Sequence, residues 1–373
     1  MIRLSKSVVG KAEAEAVAHV IEDIGYLGMG AVVGDFEHDL EEYIGGGRRA
    51  LCVNSGTAAL HLAVQACTRP GDDVLVPSFT FVSSSQAITA AGCHPVSCDI
   101  DPETLTLDLE DAERRITPKT TAMMPVYYAS NCNQVDAYQE FARKHHLRLI
   151  EDAAHSFGCK HQGRRIGSFG DVVCFSFDGI KNITSGEGGA VVTANPDTIQ
   201  KVSDARLLGV QKDSEKRYAG KRSWVFDVTD QGYRYHMSNI FAAIGRVQLG
   251  RLESEFAPRR RHVANLYVSL LKDNPAVRLT PMDYTNDIIP HIFVIRITNG
   301  TRGLVEEEFR KRDIQFGVQY RPNHLLSYFK AGYHLPVTEK VYDEVLSLPM
   351  HPELTDDEVR EISTIINNTT LKK

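Results

Sequence analysis

Residues 148–158, RLIEDAAHSFG, and 171–193, DVVCFSFDGIKNITSGEGGAVVT, decide the fold. Leu147, Leu149 and Ile150 make an apolar run of strand length that stops at two carboxylates, Glu151 and Asp152. A second apolar run, 172–175, leads into Ser176, Lys181 and the glycine-rich stretch 186–189. An acid and a lysine therefore stand 29 residues apart, each just past the carboxyl end of a strand. In an open α/β sheet those ends line the crevice where ligands bind, so both side chains are expected to face one pocket.

Working outward, 54–63 reads NSGTAALHLA and follows a short strand over 50–53. Ser55 or Asn54 is placed to cap the alanine- and leucine-rich helix that follows, and Gly56 permits close backbone approach. Unpaired N–H groups at such a helix start favour an anion, although an ordinary cap has the same sequence. The stretch 71–84, GDDVLVPSFTFVSS, carries another strand at 74–77 and then a helix. An aromatic ring just past a strand end suits stacking on a flat ligand, and both Phe79 and Phe81 qualify by position.

The remaining chain continues the alternation. Helical periodicity over 10–25 puts Val17, Val20, Ile21 and Ile24 on one face, with Gly25 closing the helix, and a second helix is expected over 35–43. The segment HPVSCDIDPETLTLD reads as strand, turn and strand; its Asp99 and Asp101 suggest a solvated turn more than a metal site. A helix over 108–116, a strand over 122–126 and a helix over 136–146 return to the opening stretch. Strands and helices at this spacing indicate a large α/β domain with a mostly parallel mixed sheet flanked by helices. Further on, 206–224 forms a basic loop containing Lys212, Lys216 and Lys221, suited to a phosphorylated or nucleotide-linked ligand. A helix over 240–252 precedes a smaller C-terminal α/β domain. There HIFVIRI, LVEEEFRKRDI and GVQYRPNHLLSYF read as strand, helix and strand, and Tyr320, Arg321 and His324 are candidates for a ligand cleft. The boundary is expected between 252 and 253, giving domains 1–252 and 253–373.

Composition excludes several classes. The 373 residues, 42% hydrophobic and 24% charged, are those of an ordinary globular chain with a large core. A net charge of −6 without a basic cluster argues against nucleic acid, and the absence of a long apolar run argues against a membrane span. No signal-peptide pattern is present at the amino terminus. Seven cysteines with no C-x-x-C pair fit neither a disulfide framework nor zinc, so no metal and a reducing cytoplasm are expected.

The segments EDAAHSFG, FSFDGIKNITSGEGG, NSGTAALHLA and GDDVLVPSFTFVSS resemble those of the DegT/DnrJ/EryC1/StrS sugar aminotransferases, which have the fold-type I architecture built around pyridoxal 5'-phosphate. The resemblance runs from about 25 to about 349 and is tightest between 54 and 189. It agrees with the opening stretch, because this cofactor needs a lysine for a Schiff base, a carboxylate at its pyridine nitrogen and small donors for its phosphate.

The resemblance implies the following roles. Lys181 is the Schiff-base lysine and, once released, the base of the proton shift. A histidine there would have indicated the dehydratase branch. Asp152 meets the pyridine nitrogen in preference to Glu151, which strand alternation turns to the other face. Ser55, Gly56, Thr57 and Ser176 hold the phosphate, Phe81 stacks on the ring, and His155 touches the ring or its phenolic oxygen. Arg234 stands where the family has an asparagine that reaches the neighbouring subunit's cofactor, with His236 in place of an arginine and Asp178 in place of a histidine. His324, in a P-x-H pattern, faces the substrate. The expected substrate is a nucleotide-linked keto-deoxysugar with glutamate as amino donor, in a homodimer with shared active sites. A cyclitol aminotransferase and a non-catalytic cofactor-binding regulator are the alternatives.

Overall fold

The structure is a computed structural model that describes residues 1–211 and 225–371, so Lys212, Lys216 and Lys221 of the basic loop lie outside the described residues. Its centre is a seven-stranded sheet. In chain order the strands are β1 (Arg49–Val53), β2 (Asp73–Pro77), β3 (His94–Cys98), β4 (Thr120–Met123) and β5 (Arg148–Asp152). A hairpin of β6 (Lys160–His161) and β7 (Arg164–Arg165) intervenes before β8 (Val172–Ser176) and β9 (Gly189–Thr193). The order across the sheet is β1-β9-β8-β5-β4-β2-β3, and only β9 runs against its neighbours. Its reversal has a local cause. Parallel pairing needs a long crossover, usually helical, whereas 177–188 contain no helix and turn the chain straight back along β8.

The helices of this domain are α1 (Lys11–His19), α2 (Ala31–Ile44), α3 (Gly56–Cys67), α4 (Val82–Ala90), α5 (Leu109–Arg114), α6 (Val135–Lys144), α7 (Pro196–Ala205) and α8 (Asn239–Arg251), with α1 packed on α8 and not on the sheet. Strand alternation divides the core in two. Val74, Val76, Ile150, Val172 and Cys174 join the cluster under α3, while Leu75, Leu149, Val173 and Phe175 join the one under α2 and α6. Eight of the twelve residues of α3 are buried, in keeping with its largely apolar sequence.

Several boundaries differ from the sequence expectation. The first helix ends in a π-helical turn, Val20–Ile24, closed by Gly25 at φ +65°. The turn shifts the helical phase, so Val20 is buried while Ile21 and Ile24 are exposed. Helix α2 begins at Ala31, four residues before the expected start at 35, and buries Val32 and Val33. Asp99 is a buried helix cap, accepting hydrogen bonds from the Val337 and Thr338 amides at 3.1 and 2.7 Å; Asp101 closes a turn onto the Glu103 and Thr104 amides. The expected second strand there reduces to a single bridge between Ile100 and Leu107.

Helix α8 runs through a second π-helical turn, Leu252–Phe256, into α9 (Ala257–Leu271), so residue 253 lies within a continuous helical run. Beyond it come β10 (Val277–Leu279), β11 (Phe293–Ile297), α10 (Arg302–Lys311), α11 (Pro336–Glu344), β12 (Val345–Leu348) and α12 (Asp356–Thr370). The three strands form an antiparallel sheet with its own apolar cluster, which Ile2 joins. The second strand expected in this domain, 317–329, is absent from that sheet. Apart from one bridge between Gly317 and Ser347 the segment runs back to the large sheet, where the Asn323 amide donates to the Ser78 carbonyl at 2.8 Å. Pro322 has no amide hydrogen to give a ladder, and β12 takes the position instead.

Candidate active site

A cavity of about 300 Å³ opens at the carboxyl ends of the parallel strands. Nine of the eleven residues singled out from sequence line it: Ser55, Gly56, Thr57, Phe81, Asp152, His155, Ser176, Lys181 and Tyr320. Arg234 and His324 are not in its wall.

One end of the cavity is the start of α3. Ser55 caps the helix, its Oγ accepting from the Ala58 amide at 3.1 Å, and the first-turn amides of Gly56 and Thr57 have no partner within the helix. A Cβ on Gly56 would lie 2.7 Å from the Ser176 Cβ, so only glycine lets the helix start and the end of β8 come this close. The result is a concave set of amides and hydroxyls with the helix dipole's positive end behind it, a receptor for a phosphate.

Asp152 ends β5 on the face covered by α3. It is buried, its Oδ2 accepts from the Ser84 hydroxyl at 2.8 Å and its Oδ1 from the Ala154 amide at 3.2 Å. Burial raises its pKa above the ordinary carboxylate value, against the lowering by these donors and by Lys181. Glu151 points the opposite way, takes a hydrogen bond from the Tyr127 hydroxyl, and is pushed up to about 7 by burial. The pleat alone separates the two acids.

Lys181 sits in the turn after β8, buried enough to bring its amine down to about 8, while Asp178 and Asp152 pull the other way. Its Nζ lies 3.3 Å from His291 Nε2. His155 Nδ1 accepts from the Ala129 amide at 3.3 Å, which leaves its proton on Nε2, 3.2 Å from the Tyr320 hydroxyl. Burial and the Lys181 charge hold both histidines neutral, well below the usual imidazole value. Phe81 is 54% exposed at the mouth with its ring 5.4 Å from Tyr320, whereas Phe79 is fully buried against Tyr128. Of the two aromatics, only Phe81 lines the cavity.

The two outliers have other contacts. His324 is buried between the Ser78 hydroxyl at 2.6 Å and Glu339 at 3.2 Å, tying the 317–329 segment down. The Arg234 side chain is exposed, and its carbonyl accepts from the Asn54 side chain at 3.3 Å. Sequence reasoning missed Ser84, His291 and Arg260. Ser84 was legible only as one of several serines in a helix; His291 lies just before a buried strand, where a core histidine has the same appearance.

A phosphate receptor, a buried carboxylate and a buried amine of lowered pKa, spread over one cavity of this size, suit a phosphorylated aromatic aldehyde such as pyridoxal phosphate. Comparison with known proteins agrees. The sequence profile of the DegT/DnrJ/EryC1/StrS aminotransferase family matches residues 8–367. The chain is 35% identical over 368 residues to the dTDP-4-dehydro-2,3,6-trideoxy-D-glucose 4-aminotransferase of Saccharopolyspora spinosa, covering 97% of this chain and 95% of that protein. Among solved structures it is similar to Helicobacter pylori PseC, an aminotransferase of pseudoaminic acid biosynthesis, with a TM-score of 0.91, 26% identity and 100% of both chains covered. The Streptococcus pneumoniae protein Spr1654 in its PLP form matches with a TM-score of 0.89 at 27% identity, over 100% of this chain and 99% of that one.

Proposed function

The chain belongs to the DegT/DnrJ/EryC1/StrS aminotransferase family and is a pyridoxal-phosphate-dependent aminotransferase, and from that premise we propose that it moves an amino group from glutamate to the keto carbon of a nucleotide-linked deoxysugar. The observation that carries this reading is the convergence of Asp152, Lys181 and the start of α3 on one cavity. When bound, the cofactor supplies an aldehyde carbon that carries the amino group and a ring that takes up the electron pair released when the substrate C–H bond breaks.

The chain's own residues do the rest in this proposal. The amides of Gly56 and Thr57 with the hydroxyls of Ser55, Thr57 and Ser176 bind the phosphate. Asp152, in a dry site, keeps a proton on the ring nitrogen it faces, because its negative charge favours the protonated ring. Phe81 covers the ring at the cavity mouth. Lys181 Nζ takes the proton released at one carbon, holds it as an ammonium and delivers it to the other. Tyr320 stands at the entrance as a substrate contact.

Among the described residues, the cavity wall of one chain contains three carboxylates, Asp152, Asp178 and Glu187, against one cation, Lys181. Further positive charge for the phosphate is assigned to the exposed Arg234 of a second copy, in a homodimer with shared active sites. The sugar and its nucleotide are supported by the Saccharopolyspora relative, whose name specifies a dTDP-linked keto sugar. The product would enter glycan, O-antigen or lipopolysaccharide, or antibiotic-sugar synthesis. All seven cysteines are free, in keeping with a reducing cytoplasm, and no described helix is long and apolar enough to cross a membrane.

The test is an absorbance spectrum of the purified protein before and after glutamate. A visible band that glutamate moves to the near ultraviolet, and that a dTDP-4-keto-deoxysugar then restores, is the expected result. A band that ignores glutamate removes the donor; one that glutamate shifts and no nucleotide sugar restores removes the acceptor.

A further inference from the structure

His291 reaches the Lys181 amine from 110 residues further along the chain, behind the cavity wall, and it arrives with its own supports. Its backbone amide donates to the Ser130 hydroxyl at 3.0 Å. Its carbonyl and that of Pro290 each accept from Arg260 Nη1 at 3.2 Å, and Arg260 Nη2 reaches the Lys181 carbonyl at 3.5 Å. Arg260 is 2% exposed, so one buried guanidinium clamps the backbone on both sides of the contact between Lys181 and His291. The ring of His291 packs 4.6 Å from that of His155. Its Nδ1 has no hydrogen-bond partner among the described groups, so nothing but Lys181 sets which ring nitrogen carries the proton.

We propose that His291 is a positioning residue: its Nε2 accepts a hydrogen bond from the Lys181 amine whenever that amine is free, and holds it where it can exchange a proton with the substrate. The proposal rests on Lys181 being the reacting amine. An ammonium can only donate, so the neutral ring presents the Nε2 lone pair to it and keeps its own proton on Nδ1. His291 thereby stabilises the ammonium form. The charged and titratable groups around this contact are Asp152 from β5, Asp178 and Glu187 from the loop after β8, His155, Arg260 from α9, and Tyr320. The acids also favour the ammonium and Arg260 opposes it, but only His291 touches Nζ among the hydrogen bonds described.

The consequence is specific in direction. Taking the acceptor away makes the ammonium less stable, so the free amine appears at lower pH while the proton-holding step suffers. The experiment strips the full chain of cofactor and follows the rate at which it captures added pyridoxal 5'-phosphate as a function of pH, since capture needs the neutral amine. Wild type is expected to have a midpoint near 8, following the depressed lysine value. His291→Leu is expected to move it down by about one pH unit, the scale of a lost charge-assisted hydrogen bond, and to slow the loss of the visible band with the amino donor. His291→Gln, whose amide oxygen reaches the Nε2 position, is expected to restore the midpoint. If His291→Leu does not fold, His291→Asn, too short to reach Lys181, takes its place. An unchanged midpoint in the Leu or Asn variant overturns the proposal, as does an equal shift in the Gln variant. Lys181→Ala is the control: if it captures the cofactor covalently like wild type, the lysine assignment has failed and the histidine was never at issue.

Discussion

Glu151 and Asp152 are adjacent in sequence and serve opposite sides of one sheet. Asp152 faces the cavity; Glu151 is closed into the core with Tyr127, and its pKa near 7 has a cost with a definite pH signature. Below about pH 4.5 folded and unfolded chains both hold that proton. As pH rises from there to 7 the unfolded chain releases it while the folded chain keeps it, so folding stability falls by about 1.4 kcal/mol per pH unit, reaching roughly 3 kcal/mol above pH 7. Glu151→Gln keeps the acceptor for Tyr127 and does not titrate. The variant is therefore expected to match wild type in Tm near pH 4.5 and to exceed it progressively up to pH 7, with a constant gap beyond; a gap that stays level across this range would remove the buried-acid explanation. That these two acids face opposite sides was legible before any coordinates, because the period of two in a strand is enforced by the backbone; which of them meets the cavity came from the family resemblance. His291 was illegible for the opposite reason: its value comes wholly from a partner 110 residues away, and no local pattern encodes that.

Strands were the best-read elements, since each parallel strand is a short apolar run bounded by turn residues, and 50–53, 74–77 and 172–175 fell within a residue or two of β1, β2 and β8. The misreadings cluster where tertiary contacts override local preference. The two π-helical turns contain no glycine or proline within them to mark the shift of phase, and 317–329 carries strand-forming residues yet is held to the large sheet by Ser78. Tight junctions between elements set the tolerance to change. Gly170, at φ +84°, leads into β8 under the Glu151 carboxylate, and an added Cβ would fall 2.1 Å from Oε2. Gly170→Ala is expected to destabilise by about 1–3 kcal/mol through strained backbone and a displaced buried acid, read as a lower denaturant midpoint with unchanged slope. If Glu151→Gln carried the same loss at all pH values, the fault would lie with the acid's packing and not with the glycine.

At the scale of the molecule, α/β architecture and a second smaller sheet follow from the order of apolar runs, whereas the seam between them does not, because α8 and α9 form one helical run across it. The proposed homodimer has a test that needs no structure of the assembly. A Lys181→Ala chain keeps Arg234 and an Arg234→Ala chain keeps Lys181, so neither alone has a complete site if the arginine acts across the contact. Mixed one to one under conditions that exchange subunits, they are expected to recover about one working site in four, from half the dimers being mixed with one intact site each. No recovery, with exchange verified by mass, would mean that Arg234 acts within its own chain or not at all. The clamp by Arg260 adds a dimension of time. Lys181 belongs to the early part of the chain, but the groups that hold it come from residues 260 and 291, so the amine has no proper seat until the late segment has docked. During refolding with pyridoxal phosphate present, the helix signal is expected to return before the visible cofactor band, and the interval between them measures the docking of the second half onto the first. Colour, in this protein, would be a clock for the last stage of folding.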